Sequence, residues 1–352
     1  MKDILIEGKR IRPNSPIFLI AEAGVNHNGE LSLAKKLIDI VANAEVDAIK
    51  FQTFITEQVF IKSTPKVEYL KSSKDDKQSW EEMVKKYEFT KEDFIEIKKY
   101  CEKKKIIFLS TPYDENSIEW LEDLNIAAYK ISSGDLTNYP LLKKICSKKK
   151  PILLSTGMAT LKEVIETVNF IYSNNIHDLC IFQCTTNYPS SFEELNLNVI
   201  ETYKKEFPDC LIGFSDHSLG IEASIGAASK GVKLIEKHIT LDREMDGPDH
   251  KASLDPEQLN QWVKSIRNIE KALGTFEKFP SKTELIIAEK ARRSIVSRKL
   301  LEKGKIIKKE DLIVKRPGYG IPPTKFNELL GKRTKRSIPE DTIINWDDIE
   351  EI

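Results

Sequence analysis

The chain has 352 residues, of which 40% are hydrophobic and 31% are charged, and its 55 lysines and arginines balance 55 aspartates and glutamates. Such a chain can bury a large core, and its zero net charge gives no general attraction to nucleic acid or to an anionic membrane. The five scattered cysteines form no CxxC pair, which argues against a disulfide framework or a structural zinc site. Since no apolar run reaches membrane-spanning length and no signal-peptide pattern is present, we expect a soluble, cytoplasmic protein.

Short apolar runs alternate with charged segments of helical periodicity through the first three quarters of the chain. The runs predict strands over 17–23, 48–54, 106–111, 127–133, 151–156, 179–184, 211–216 and 233–239. The intervening segments predict helices over 31–44, 91–104, 116–124, 140–148, 161–173, 199–207, 221–230 and 255–273. Eight such units favour an α/β fold of the (β/α)8 TIM-barrel type over an open doubly wound sheet.

Two segments depart from this alternation. The connection 56–90 contains Pro65, a lysine-rich turn and Trp80, and its length is typical of loops that cover an active site. After Gly274 the pattern changes to a short helix over 284–291, followed by brief strands and turns. We therefore predict a barrel domain over 1–275, a linker over 276–290 and a small, mostly β domain over 291–352.

Polar side chains collect where the predicted strands end, which is the catalytic face of a barrel. They are Glu22, Asn26, His27, Lys50, Gln52, Ser110, Thr111, Lys130, Ser132, Ser133, Asp135, Ser155, Thr156, Thr185, Thr186, Tyr188, Ser215, Asp216, His217, Glu236 and His238. Lysines inside two buried strands are costly unless an anion neutralises them, which indicates a small, highly charged ligand such as a phosphate ester with a carboxylate. His217 and His238 follow adjacent strands and are placed as a metal site requires.

Each of these residues also has a structural interpretation. A serine or threonine at a strand end is commonly a helix N-cap, a lysine can extend past its neighbours to solvent, and a histidine is commonly a hydrogen-bonded core residue. His27 and His250 stay undecided, and Arg316 lies in a sequence that predicts a turn. One shared site explains the coincidence at a single edge better than many separate structural roles do.

Ten motifs together resemble those of a known family. They are AEAGVNHNG (21–29), KFQTF (50–54), STP (110–112), YKISSGD (129–135), LSTGMAT (154–160), QCTTNYP (183–189), GFSDHSLG (213–220), EKHITLD (236–242), GPDHKAS (247–253) and KRPGYGI (315–321). In this order they resemble the N-acetylneuraminate (sialic acid) synthase family. That family includes the N,N'-diacetyllegionaminate and pseudaminic acid synthases and carries a C-terminal antifreeze-like (SAF) domain.

The resemblance implies a reaction and a role in it for individual residues. Phosphoenolpyruvate and water react with an N-acetylmannosamine-type sugar to give a nonulosonic acid, N-acetylneuraminate, and phosphate. His217 and His238 resemble ligands of Mn²⁺, or of another divalent cation such as Mg²⁺ or Co²⁺. The implied catalytic residues are Glu22, Asp135, His217 and His238. Those implied for phosphoenolpyruvate are Lys50, Thr111, Lys130, Ser133, Ser155 and Ser215. Those implied for the sugar are Glu22, Gln52, Tyr188, Asp249 and Arg316. Arg316 resembles an arginine that enters the partner's barrel, which implies a domain-swapped homodimer.

Three alternatives stay open. The sugar could be 2,4-diacetamido-2,4,6-trideoxy-mannose, which would give N,N'-diacetyllegionaminate. A metal-dependent aldolase or pyruvate lyase would need the cation but would leave Lys130 and Ser155 without a role. A non-catalytic binding protein would need no Lewis acid. Asp135 stands where many relatives have glutamate, and Thr186 and Asn187 differ from residues found in some relatives, so all three bear on chemistry or sugar preference.

Overall fold

The fold begins with a two-stranded hairpin that the sequence patterns did not predict. The computed structural model describes residues 3–66 and 79–350. Strands β1 (Ile4–Ile6) and β2 (Lys9–Ile11) pair antiparallel through a tight turn. Ile4, Ile6 and Ile11 are buried in a cluster with residues from the starts of the barrel strands, Phe18 and Ala48 among them. The hairpin therefore packs against the amino-terminal end of the barrel.

Eight parallel strands close into a barrel, which confirms the predicted fold class. The strands are β3 (Phe18–Gly24), β4 (Ala48–Thr53), β5 (Ile107–Pro112), β6 (Tyr129–Ile131), β7 (Ile152–Ser155), β8 (Leu179–Cys184), β9 (Leu211–Asp216) and β10 (Leu234–His238). Each strand pairs with the next along the chain, and β10 pairs with β3. The strands are almost wholly buried because one face contacts the barrel interior and the other contacts helices, which explains their continuous apolar runs.

Helices follow the strands, and all but the two short ones that come directly after β4 cover the outside of the barrel. They are α1 (Leu31–Asn43), α2 (Thr56–Val59), α3 (Trp80–Lys85), α4 (Lys91–Lys104), α5 (Glu115–Asp123), α6 (Tyr139–Ser147), α7 (Leu161–Ser173), α8 (Val199–Glu206), α9 (Glu222–Ser229) and α10 (Pro256–Leu273). α4, α7 and α10 begin with reciprocal side-chain and backbone hydrogen bonds at Thr90, Thr160 and Asp255. These caps satisfy amide groups that a helix end leaves unpaired, so the helix starts are defined locally.

Two predicted features differ from the structure. The fourth strand is only Tyr129–Ile131, because the following residues form a 3₁₀ turn over Ser133–Asp135 that is capped by the Ser132 side chain. The long connection between β4 and α4 contains α2 and α3 instead of loop alone. The lysine-rich turn predicted within this connection lies outside the described residues.

The chain divides into two compact units, Met1–Gly274 and Thr275–Ile352. In the second, α11 (Lys282–Ala291) precedes β11 (Ser294–Ser297), β12 (Leu312–Lys315) and α12 (Phe326–Leu329), and most of the predicted linker 276–290 lies in or beside α11. β11 and β12 pair antiparallel over a small aliphatic core. No helix in the described part of the chain is long and apolar enough to cross a membrane.

Candidate active site

A cavity of about 390 Å³ opens at the carboxyl ends of the barrel strands. Because parallel strands end at the same edge, the side chains that follow them converge there. Every site residue predicted within the barrel lines this cavity: Glu22, Lys50, Gln52, Thr111, Lys130, Ser133, Asp135, Ser155, Tyr188, Ser215, His217, His238 and Asp249. Arg316 belongs to the second unit, where it follows β12 and is joined to Pro317 by a cis peptide bond.

Two lysines and two glutamates form the charged floor of the cavity. Lys50 Nζ lies 2.8 Å from Glu22 Oε2 and 3.6 Å from Glu236 Oε1. Lys130 Nζ lies 3.8 Å from Glu236 Oε2 and donates to Ser155 Oγ. All four charged side chains are almost completely buried. The lysines therefore do not extend to solvent, and only a negatively charged partner offsets their burial.

In the charged floor, burial and the attraction between opposite charges shift the pKa of each side chain in opposite directions. Burial raises the pKa of Glu22 to about 7, although Lys50 lies beside it. Burial opposes ionisation of Glu236, but Lys130 and Lys50 outweigh it and hold its pKa below the ordinary value. For Lys50, Glu22 and Glu236 outweigh burial and raise the pKa, whereas burial lowers the pKa of Lys130. The floor thus contains one ionised carboxylate and one that can gain or lose a proton near neutral pH.

The hydroxyls at the strand ends divide into two groups. Thr111 Oγ1 accepts from Lys50 at 3.0 Å, Ser155 accepts from Lys130, and Ser215 donates to Glu236 at 3.4 Å. Ser110 and Thr156 instead donate to main-chain carbonyls, at 3.0 and 2.7 Å, and do not line the cavity. The first group is placed to meet a ligand, and the structural interpretation holds for the second.

His217 and His238 face each other across the ends of β9 and β10, with ring centroids 5.4 Å apart. His217 Nδ1 lies 2.7 Å from the carbonyl oxygen of Thr185. Because a carbonyl can only accept, Nδ1 carries a proton, and it is Nε2 that would have to be free of a proton for the ring to bind a metal. His238 Nδ1 is buried without a hydrogen-bond partner among the described residues, and the nearest acid, Asp249 Oδ2, is 3.9 Å away.

The two imidazoles fit a divalent cation. Burial, with His217 and the lysines, holds the pKa of His238 well below its ordinary value, so this ring is neutral as a metal ligand must be. Burial also opposes protonation of His217, but Cys184 and the Thr185 carbonyl outweigh it and raise its pKa, so a cation would displace a proton there. Among the described residues, no group of three or more histidine, cysteine or acidic side chains is arranged for metal. Two protein ligands would leave other coordination positions open.

Gly24 lets the His238 ring approach the end of β3. Its φ of +52° belongs to the left-handed region, and a Cβ there would lie 3.3 Å from Cε1 of His238. A side chain at residue 24 would therefore strain the backbone and press on the imidazole.

The remaining predicted carboxylates have different surroundings. Burial raises the pKa of Asp249 to about 6. Asp135 lines the cavity, but its oxygens accept from Ser132 Oγ at 2.6 Å and from Asn138 Nδ2 at 3.1 Å. Asp135 is thus held by its own turn, whereas Asp249 has fewer local constraints.

The structure adds roles for Glu236 and Cys184, to which sequence reasoning assigned none, and shows the surroundings of Thr186, which was expected to bear on sugar preference. Glu236 is the common partner of both lysines, and the cost of burying two ammonium groups was the signal that could have identified it. Cys184 Sγ lies 3.8 Å from His217 Nδ1. Burial opposes ionisation of the thiol, but the interaction with His217 outweighs it and lowers the pKa of Cys184 to about 7. Thr186 Oγ1 is buried without a hydrogen-bond partner among the described residues. Glu236 Oε2 shares that property, and such atoms commonly mark a ligand site.

The two undecided histidines have structural roles. His27 stacks on Phe89 with ring centroids 4.0 Å apart and accepts from the Gly29 amide at 3.1 Å. His250 bonds to Thr240 Oγ1 at 2.7 Å and lies 3.1 Å from Asn28 Oδ1. Both rings have partners within the protein and neither lines the cavity.

Comparison with known proteins identifies the family. Residues 37–278 match the NeuB family, and residues 292–350 match the SAF domain. An N,N'-diacetyllegionaminic acid synthase from Legionella pneumophila is 43% identical, over 95% of this chain and 94% of that protein. Human N-acetylneuraminate-9-phosphate synthase is 36% identical, over 97% and 94%. The crystal structure of an N-acetylneuraminic acid synthetase from Leptospira borgpetersenii superposes with a TM-score of 0.72 at 33% identity, over 82% of this chain and 95% of that one. The chain therefore belongs to the NeuB family and ends in a SAF domain.

Proposed function

We propose that this protein condenses phosphoenolpyruvate with the open-chain aldehyde of a 2-acetamido-mannose-type sugar. C3 of phosphoenolpyruvate bonds to the aldehyde carbon, whose oxygen takes a proton; water adds at C2, and phosphate leaves. The product is N-acetylneuraminate from N-acetylmannosamine, or N,N'-diacetyllegionaminate from 2,4-diacetamido-2,4,6-trideoxy-mannose. The observation that carries the proposal is the position of two buried lysines and two buried histidines in one cavity.

In this proposal, the lysine side of the floor receives phosphoenolpyruvate. Lys50 and Lys130 supply positive charge, and the nearby hydroxyls supply hydrogen bonds to a carboxylate and a phosphate. The hydroxyls are those of Thr111, Ser133, Ser155 and Ser215. Burial of both lysines strengthens their attraction for a densely charged anion.

His217 and His238 would hold the divalent cation, for which we propose Mn²⁺, with Mg²⁺ or Co²⁺ as substitutes. A bound cation supplies Lewis acidity at the carbonyl oxygen of the sugar. Gln52, Tyr188 and Asp249 would orient the sugar chain around that point. All three line the same cavity as the histidines.

Glu22 is the better placed of the two candidate proton carriers. Its pKa of about 7 lets both protonation states exist at neutral pH, and it contacts Lys50 on the phosphoenolpyruvate side. Asp135 is occupied by hydrogen bonds from Ser132 and Asn138, which suits a role in orienting neighbouring groups. We therefore assign proton transfer to Glu22.

Phosphate release tests the reaction. The metal-depleted protein is mixed with phosphoenolpyruvate and N-acetylmannosamine or 2,4-diacetamido-2,4,6-trideoxy-mannose, with and without Mn²⁺. We expect phosphate to form only when the sugar and the cation are both present. If no 2-acetamido hexose supports cation-dependent phosphate release, the proposal fails. Condensation of pyruvate itself, without phosphate, would establish the aldolase alternative.

We further propose a homodimer in which Arg316 of one subunit completes the barrel of the other. Its support is the surface of the second unit: no residue of α11 is buried, and Leu285, Ile286 and Ile287 are each at least half exposed within the chain. Exposed apolar residues on one helix commonly mark a protein interface. The occupant we propose is a second copy of this chain.

Subunit mixing tests this exchange. Arg316→Ala alone should raise the KM for the sugar about tenfold, the loss of one charged hydrogen bond, with little change in the KM for phosphoenolpyruvate. At a sugar concentration well below the wild-type KM, heterodimers of Arg316→Ala and His238→Ala chains should be more active than either homodimer, because one barrel keeps its histidine and receives Arg316 of the partner subunit. Failure of mixed dimers to exceed either homodimer would show that Arg316 does not act across the interface.

A further inference from the structure

One side of the cavity is apolar, and it comes from the connection between β4 and α4. Val59 and Phe60 lie at the end of α2, and Trp80, Met83 and Val84 lie on α3. All five line the cavity and are partly exposed. We call these five residues the apolar wall. Its composition contrasts with the floor, where charged and hydroxyl side chains dominate.

Contacts between the two short helices hold the wall together. The rings of Phe60 and Trp80 pack with centroids 5.2 Å apart. Lys85 on α3 pairs with Glu57 on α2 at 2.9 Å, and it also pairs with Glu88 at 3.0 Å. Glu88 in turn accepts from the Thr56 amide at 2.9 Å and from the Thr56 hydroxyl at 2.6 Å. Ring packing, ion pairs and hydrogen bonds therefore hold α2 and α3 together and keep the wall in place.

The wall adjoins the part of the cavity proposed for the sugar. Tyr87 follows α3 and also lines the cavity. Asp249 lines the same cavity, and its Oδ2 is 3.9 Å from His238 Nδ1. A sugar chain that starts at the histidines and passes Asp249 can therefore reach the wall within this one cavity.

The chemistry of the wall discriminates at the far end of a six-carbon sugar. If the aldehyde carbon lies at the histidines, C5 and C6 lie farthest from them along the chain. A methyl group at C6 would bury apolar area on the wall, which is favourable. A hydroxymethyl group would bring a hydroxyl against side chains of which only Trp80, through its indole N–H, offers a strong hydrogen bond, so its loss of water would be compensated only in part.

We infer that the apolar wall contacts C6 of the sugar and selects a 6-deoxy substrate over one with a C6 hydroxyl. The inference rests on the proposed condensation. Of the two sugars proposed above, it selects 2,4-diacetamido-2,4,6-trideoxy-mannose. Apolar pockets reject an added hydroxyl only moderately, so the expected preference in kcat/KM is about 10- to 100-fold.

Four sugars separate the contribution of C6 from that of C4. They are N-acetylmannosamine, its 6-deoxy analogue, 2,4-diacetamido-2,4-dideoxy-mannose and 2,4-diacetamido-2,4,6-trideoxy-mannose. Within each pair that differs only at C6, we expect the 6-deoxy sugar to have the higher kcat/KM for phosphate release. Equal or reversed values in both pairs would overturn the inference and leave the condensation standing. Absence of phosphate release with every sugar would overturn both.

Variants of the wall assign the preference to its residues. Val59→Thr with Val84→Thr keeps the side-chain shape and adds hydroxyls, so the C6 preference should fall about 3- to 10-fold. Ile61→Thr is the matched control, because Ile61 lies on the same connection, is 72% exposed and is not among the described residues that line the cavity. The ratio of kcat/KM for two sugars does not depend on the folded fraction. A ratio unchanged in the double variant, or lowered equally by Ile61→Thr, would refute the role of the wall.

Discussion

Alternate side chains at the ends of β9 and β10 meet opposite environments. His217, Glu236 and His238 point into the cavity, and within the described chain Glu236 Oε2 and His238 Nδ1 are buried without hydrogen-bond partners. Asp216 and Lys237, their immediate neighbours, form a fully buried ion pair at 2.9 Å. The same two strands therefore carry an incomplete polar network on one side and a complete one on the other.

The outward pair is completed by the segment after β9. Asp216 Oδ1 accepts from the Ser218 amide at 2.9 Å and from the Ser218 hydroxyl at 2.6 Å, and Asp216 Oδ2 accepts from Ser224 Oγ at 2.6 Å. Lys237 donates to the Ser218 carbonyl at 2.7 Å. Buried polar groups that are hydrogen-bonded to one another stabilise a single structure, whereas buried polar groups without hydrogen-bond partners commonly mark a place where a ligand binds. At the ends of β9 and β10, the residues on both sides are equally buried, and the presence or absence of hydrogen-bond partners distinguishes the scaffold from the site.

The largest effect we expect is on activity, from His238→Ala. Removing a proposed cation ligand should lower kcat about 1000-fold or more, while the unfolding temperature stays nearly unchanged because the lost nitrogen has no partner within the described protein. Phosphate release and thermal unfolding measure the two quantities. His177→Ala, at an exposed histidine outside the cavity, is the control. Substantial residual turnover in the folded variant would remove His238 from the site.

The next effect is on stability, from the outward pair. Lys237→Met leaves the Asp216 carboxylate buried without its cation and should lower the free energy of unfolding by about 3–5 kcal/mol. Adding Asp216→Asn should recover part of that loss, because no charge is then buried alone. Urea unfolding of the wild type, both single variants and the double variant measures this coupling. Additive losses in the double variant would mean that the pair does not act as a unit.

The smallest effect is a pH dependence from the inward face. Because the pKa of Glu22 is raised to about 7 in the folded protein, the folded state holds this proton more tightly than the unfolded state. Its contribution to stability is therefore present at low pH and is lost as the pH rises through about 7. In metal-free protein, the stability of the wild type relative to Glu22→Gln should fall between about pH 5 and pH 8.

A surface carboxylate provides the control for this measurement. Hydrogen bonds from Lys144 and Lys148 lower the pKa of Glu119 to about 2. Its stabilising contribution is lost only on acidification below about pH 5, so Glu119→Gln should shift stability equally at the two pH values. If the stability of the wild type relative to Glu22→Gln stays constant or rises between pH 5 and pH 8, the pKa of Glu22 is not raised.

The barrel, and the strand-end residues that line one cavity, could be predicted because both depend on short-range patterns. Buried parallel strands must be continuously apolar, which marks runs such as 179–184 and 211–216, and both match strand bounds in the structure. The polar residues after them then share one edge. The fourth strand was predicted too long, because Ser132 bonds to the Asp135 amide and turns the chain.

Features that depend on contacts distant in sequence could not be predicted in this way. The strands of the amino-terminal hairpin have three residues each, which is too few to establish a periodicity. Their apolar residues are buried only because they pack against the barrel interior. The apolar wall depends on the approach of Glu57 to Lys85 and of Phe60 to Trp80. Glu236 was visible as a strand-end residue, but its place between two lysines follows only from closure of the barrel.

The hairpin at the amino-terminal end also limits how ligands can enter and leave the cavity. Ile4, Ile6 and Ile11 continue the interior core at that end, so ligands enter and leave the cavity through its other end. In the proposed reaction, a sugar extended toward the apolar wall would stand between the lysine floor and the exit. In that arrangement phosphoenolpyruvate would bind before the sugar, and the nonulosonic acid would leave before the next phosphoenolpyruvate binds.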